Sequence, residues 1–185
     1  MDAQIEGFLL QLTTTCQDLP GVAGRLSPQQ FNWQPAPGRW SIGQCVEHLN
    51  LTTERYLPVL RAGIADARRA GRLGSGPFPL GLFERVFLGI MEPPARLTSK
   101  APSAFVAPPN LDASATLERW VRLNEELGAC IRSAEGVDLR RVKIRSQFGP
   151  VSFSLAGTLT ILLAHQRRHI WQAREVRKAP EFPRE

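Results

Sequence analysis

The spacing of apolar residues along the chain predicts four long helices. Ile5, Phe8, Leu9, Leu12 and Cys16 recur at three- to four-residue intervals. They put one apolar face on a helix from about Ala3 to Gln17, ending before Pro20-Gly21. Ser27-Pro28 reads as an N-cap followed by proline at the first helical position, giving one short turn through Phe31. Pro35-Ala36-Pro37-Gly38 is a rigid elbow that cannot be helix. A second long helix starts at Ser41 and runs to about Ala70, with Ile42, Cys45, Val46, Leu49, Thr53, Tyr56 and Leu60 as its stripe. Pro58 lies inside that stretch, removes one backbone hydrogen bond and predicts a kink.

Residues 71–110 break the pattern, with 7 Pro and 5 Gly among 40, and read as an irregular crossover interrupted by a short helix from Leu80 to Met91. The third long helix spans about Ser114 to Ser133, with Leu117, Trp120, Val121, Asn124, Leu127 and Ile131 inward. A polar segment from Gly136 to Pro150 has a short extended piece at Arg141 to Ile144. The fourth helix begins near Ser154 and continues to about Lys178, before Pro180 and Pro183 mark a loose tail over 179–185. Each apolar stripe can be buried only against the others. The expectation is therefore one all-α domain over residues 1–178, a four-helix bundle with a long Pro/Gly-rich crossover between the second and third long helices.

Composition narrows the class. With 43% hydrophobic and 22% charged residues in 185, the chain has room for a core without disulfides or a structural metal. Its most apolar stretch, Leu155 to Ala164, falls far short of the roughly 20 residues a membrane helix requires. The first residues lack the pattern of a secretory signal, so a soluble, cytoplasmic protein is expected, with no membrane partner. Cys16, Cys45 and Cys130 form neither a disulfide framework nor a CxxC site and read as small apolar residues. The net charge of +6 raises the question of an anionic partner. The basic residues are scattered in pairs such as Arg68-Arg69 and Arg140-Arg141, with no nucleic-acid-binding fingerprint, so no nucleic acid is expected.

The chemistry centres on the chain's 3 histidines, His48, His165 and His169. His165 and His169 stand four apart, on one helical face a turn apart, where both imidazoles can reach one cation. They fall at the edge of the stripe formed by Leu155, Leu162 and Ala173 and should point into the bundle. His48 has a similar place on the second helix, beside Val46 and Leu49. Three ring nitrogens from two facing helices would leave a fourth coordination position open, as in catalytic metal centres. A histidine on an apolar face is ordinarily a hydrogen-bonded core residue, and spacing alone leaves His48 free to sit at another level.

The run Phe31-Asn32-Trp33-Gln34-Pro35-Ala36-Pro37-Gly38-Arg39-Trp40-Ser41-Ile42-Gly43-Gln44-Cys45-Val46-Glu47-His48-Leu49 resembles the entry to the second helix in the DinB-like family (DinB/YfiT-like metalloenzymes). The segment His165-Gln166-Arg167-Arg168-His169-Ile170-Trp171-Gln172 resembles that family's last helix. The resemblance implies a four-helix bundle in which His48, His165 and His169 bind a divalent metal, usually zinc or nickel. It also implies low-molecular-weight-thiol S-transfer onto an electrophilic small-molecule substrate, with arginines receiving the thiol's carboxylates. The alternatives are a hydrolase using water activated by the metal, and a non-catalytic metal-binding stress-response module. Relatives often pair, so a homodimer is an expectation as well. The family's link with DNA damage carries no implication of DNA binding.

Several neighbours of the histidines bear on the reaction. The zincin pattern HExxH places a glutamate base directly after its first histidine, whereas this chain has Gln166, which argues against that kind of peptidase. Glu47 adjoins His48 but points about 100° around the helix, as a surface or supporting group. Gln44 and Gln172 share the ligand faces and could orient a ligand, or simply line a polar stripe. Trp40 and Trp171 could wall a pocket, although packing is the default for Trp near helix ends. Cys45 is the only thiol near His48 that could serve as a fourth ligand.

Overall fold

Helix starts fall where the sequence supplies a cap. In the computed structural model, which describes residues 2–94 and 100–184, α1 (Ala3–Ala23) begins after Asp2, whose carboxylate accepts from Gln4 N at 2.8 Å. Ser27 and Ser41 each form a complete capping box, with Gln30 and Gln44, at the heads of α2 (Pro28–Asn32) and α3 (Ile42–Arg69). Such caps are worth about 1 kcal/mol each. The remaining helices are α4 (Leu82–Met91), α5 (Ala113–Ser133) and α6 (Leu155–Arg177). A 3-10 turn occupies Ser103–Phe105.

One helix boundary differs from the sequence expectation. α1 runs through Pro20 to Ala23, because Leu19, Val22 and Ala23 bury into a core cluster with Phe31 and Ile42, which outweighs one lost hydrogen bond. α3 runs through Pro58 as expected, with the proline on its exposed side. The extended piece expected at Arg141 to Ile144 is instead β1 (Lys143–Arg145), paired antiparallel with β2 (Ser152–Ser154), Ile144 opposite Phe153. Val121, expected inward, is 55% exposed, and the buried face of α5 is Thr116, Trp120, Leu123, Asn124, Leu127 and Ile131. Beyond Lys178, Phe182 meets Trp33 edge-on at 5.6 Å and Gln30 donates to the Pro183 carbonyl at 2.9 Å. Residues 95–99 of the expected crossover lie outside the described residues.

The four long helices form the bundle: α3 packs against α5 and α6, and α1 against the same two, so α1 and α3 occupy opposite corners. Two apolar clusters fill it. One joins Ile5, Phe8, Leu60, Leu127 and Leu159; the other joins Leu19, Ile42, Val46, Trp120 and Ile170. Between them lies a polar level. There Thr15 Oγ1 donates to Gln166 Oε1 at 2.8 Å, and Gln166 Nε2 donates to Asn124 Oδ1 at 2.7 Å. All three side chains are buried and paired, as buried polar groups must be. His48, His165 and His169 belong to the same level.

Candidate metal centre

α3 and α6 bring the three imidazoles together. His165 Nε2 lies 3.1 Å from His48 Nε2 and 3.1 Å from His169 Nε2. The three are 2%, 8% and 8% exposed for His48, His165 and His169. Tetrahedral coordination at about 2.0–2.1 Å requires nitrogens roughly 3.3 Å apart, so this spacing needs little adjustment to fit one divalent cation. Among the described residues these three form the metal-capable cluster, and no carboxylate or thiol joins it.

Protonation state follows from the surroundings. His48 Nδ1 is 2.7 Å from the Phe105 carbonyl, which can only accept, so Nδ1 carries the proton and Nε2 presents its lone pair. Burial pushes the His48 pKa below the ordinary 6.5, with the Phe105 carbonyl opposing it. Burial also pushes His165 and His169 well below that value, reinforced by repulsion among the histidines and from Arg168. Nδ1 of His165 and Nδ1 of His169 are buried without a hydrogen-bond partner. Three neutral imidazoles aimed at one point are the donor set a divalent cation takes.

Aromatic rings hold what hydrogen bonds do not. Trp40 stacks on His169 at 5.5 Å and 24° and lies 4.8 Å from His48. Phe148, on the loop between β1 and β2, lies 6.3 Å from His48 and 5.6 Å from His165. Phe105 stacks on Phe148 at 4.2 Å. That loop is fastened by Tyr56, whose hydroxyl meets Ser146 Oγ at 3.3 Å and accepts from Gln147 N at 3.1 Å. Phe105 and Phe148 were not legible as site residues, because both stand in irregular segments without periodicity.

The other sequence candidates take different roles. Gln44 completes the cap of α3, accepts from Gln34 Nε2 at 2.8 Å and donates to the Ala107 carbonyl at 3.3 Å. Glu47 is buried between α3 and α5, ion-paired with Arg119 and accepting from Asn50 at 3.0 Å. Cys45 is 1% exposed in the apolar core, its thiol pushed up to about 12 by burial, so it stays neutral. Gln166 turns away from the imidazoles into the Thr15–Asn124 network. Gln172 is half-buried and near enough to His169 to favour its charged form, without a hydrogen bond of normal geometry to Nδ1. Trp171 is half-buried.

A helical bundle with three convergent histidines from its second and last long helices defines a class, and the comparisons agree with it. The sequence profile of the DinB superfamily matches residues 11–173, and the chain belongs to that family. Its fold is similar to that of YfiT from Bacillus subtilis, described as a probable metal-dependent hydrolase with an unusual four-helix bundle topology. The TM-score is 0.63 at 15% identity, over 96% of this chain and 88% of that one. No curated protein matches the sequence. Among the described residues no helix is long and apolar enough to cross a membrane.

Proposed function

We propose that this protein is a divalent-metal-dependent enzyme, with zinc or nickel held by His48, His165 and His169, that transfers a low-molecular-weight thiol onto an electrophilic small molecule. The convergence of three neutral Nε2 atoms carries the reading. A bound cation would supply Lewis acidity and hold a thiol as its thiolate at neutral pH. The chain's own residues do the rest. Phe105 keeps the proton of His48 on Nδ1, away from the centre. Trp40 and Phe148 fix the rings and surround them with apolar surface, which excludes water and suits an apolar electrophile.

Thiol transfer is preferred over hydrolysis because a thiolate attacks without a general base. Glu47, the carboxylate next to His48 in sequence, is ion-paired with Arg119, and the position that holds the glutamate base in zincins is Gln166, an amide with no basic function. Hydrolysis is the second reading, favoured by the likeness to YfiT.

The test is metal content by mass spectrometry of protein purified without a His tag, beside His48→Ala, His165→Ala and His169→Ala. About one equivalent in the parent, lost in each variant with far-ultraviolet dichroism unchanged, is the expected result for a three-ligand site. No bound metal after reconstitution with zinc or nickel would overturn the reading.

A further inference from the structure

Trp40, Phe105 and Phe148 flank the buried imidazoles, and the chain holds the three rings unequally. Trp40 directly precedes the Ser41 capping box, whose two hydrogen bonds of 3.1 Å fix the backbone at the head of α3. Phe105 is 2% exposed and bound through its carbonyl to His48. Phe148 is 36% exposed, yet its ring lies 5.6 Å from His165 and 6.3 Å from His48.

Phe148 stands at the tip of the β1–β2 hairpin, whose base is fixed. Ser154 N donates to the buried Glu84 at 2.6 Å, and Phe153 packs on Phe83 and Phe87. Ser146 N donates to the Val151 carbonyl at 2.8 Å and closes the ladder. Beyond that bond, residues 147–150 project outward: a Cβ on Gly149 would meet nothing within 4 Å. Among the described residues one hydrogen bond ties this tip to the helices, from Gln147 N to the Tyr56 hydroxyl at 3.1 Å. A segment with so few attachments opens at a lower free energy than the helices around it.

We propose that the β1–β2 tip is a gate to the three-histidine centre, with Phe148 as its leaf and the Tyr56 hydroxyl as its latch. The proposal rests on the reading of those histidines as the reactive centre and adds how small molecules reach it. With the tip shut, His48 and His165 are 2% and 8% exposed. When the bond to Tyr56 breaks, Phe148 swings towards solvent and uncovers both rings.

The experiment uses diethyl pyrocarbonate, which acylates neutral imidazoles, on the metal-free protein at neutral pH. All 3 histidines of the chain lie at this centre, so the ultraviolet absorbance of acylated histidine reads this site alone. The parent should react far more slowly than N-acetylhistidine. Tyr56→Phe should raise the rate about fivefold, the effect of one hydrogen bond. Phe148→Ala should raise it further, with the first label on His48 or His165. These rates should stay flat in urea well below the unfolding transition, because opening the tip exposes little surface. Parent histidines as reactive as N-acetylhistidine, or a rate that climbs with urea from the first addition, overturn the gate. An unchanged rate in Phe148→Ala also overturns it, and an unchanged rate in Tyr56→Phe overturns the latch. Metal content of the same proteins tests the proposed function separately: a parent that binds no metal while its histidines respond as expected removes the metal-enzyme reading and leaves the gate standing.

Discussion

The carbonyl of Phe105 and Nδ1 of His48 are 2.7 Å apart across 57 residues of chain. One turn earlier on α3, Gln44 Nε2 donates to the Ala107 carbonyl at 3.3 Å. Side chains four apart on a helix thus grip carbonyls two apart on an extended segment, where both spacings are close to one helical turn. The segment is laid along α3 in a single register, and the register determines which nitrogen of His48 is free for a cation.

Burial of neutral imidazoles predicts a pH dependence. His48, His165 and His169 have pKa values below 6.5 in the folded protein, so below about pH 6.5 the unfolded chain binds protons that the folded chain refuses. Stability of the metal-free protein should therefore fall as pH drops below 6.5, by at most about 1.4 kcal/mol per pH unit for each histidine. Urea unfolding at pH 7.5 and pH 5.5 measures it, with His165→Gln expected to flatten the slope. Equal stability at the two pH values would show that the imidazoles are not kept neutral by burial.

Restoring the zincin-like glutamate should damage the fold without creating a peptidase. In Gln166→Glu the carboxylate would face Asn124 Oδ1, an acceptor that now receives the Gln166 amide at 2.7 Å. The residue is 2% exposed, so the lost donor and the buried charge should cost about 2–4 kcal/mol. Denaturant midpoints are the check, together with peptidase assays expected to remain blank. A variant as stable as the parent would contradict the buried network.

Gly43 is a packing constraint at the head of the helix that carries His48. A Cβ there would stand 2.6 Å and 2.7 Å from two ring carbons of Phe31, which is itself 0% exposed. Alanine gains about 1 kcal/mol over glycine within a helix, but overpacking costs about 1–3 kcal/mol, so Gly43→Ala should be a net loss. Calorimetry should show a lower Tm, while metal stoichiometry stays that of the parent. A raised Tm would mean that Phe31 gives way freely.

Local chemistry was enough to read much of this protein from its sequence. The four long helices, the Ser27 and Ser41 caps and the inward stripe of α3 follow from periodicity and turn residues that act within a few positions of one another. The pairing of His165 with His169 is of the same kind, since four residues span one turn. Long-range packing decided the rest. The burial of Leu19 and Val22 carried α1 through Pro20, and the facing helices left Val121 exposed. The second helix's histidine could have met another level of the bundle; the polar layer between two apolar clusters brought it to His165. Phe105 and Phe148 reach the site only through contacts between irregular segments and α3 or α6, for which one-dimensional spacing carries no signal.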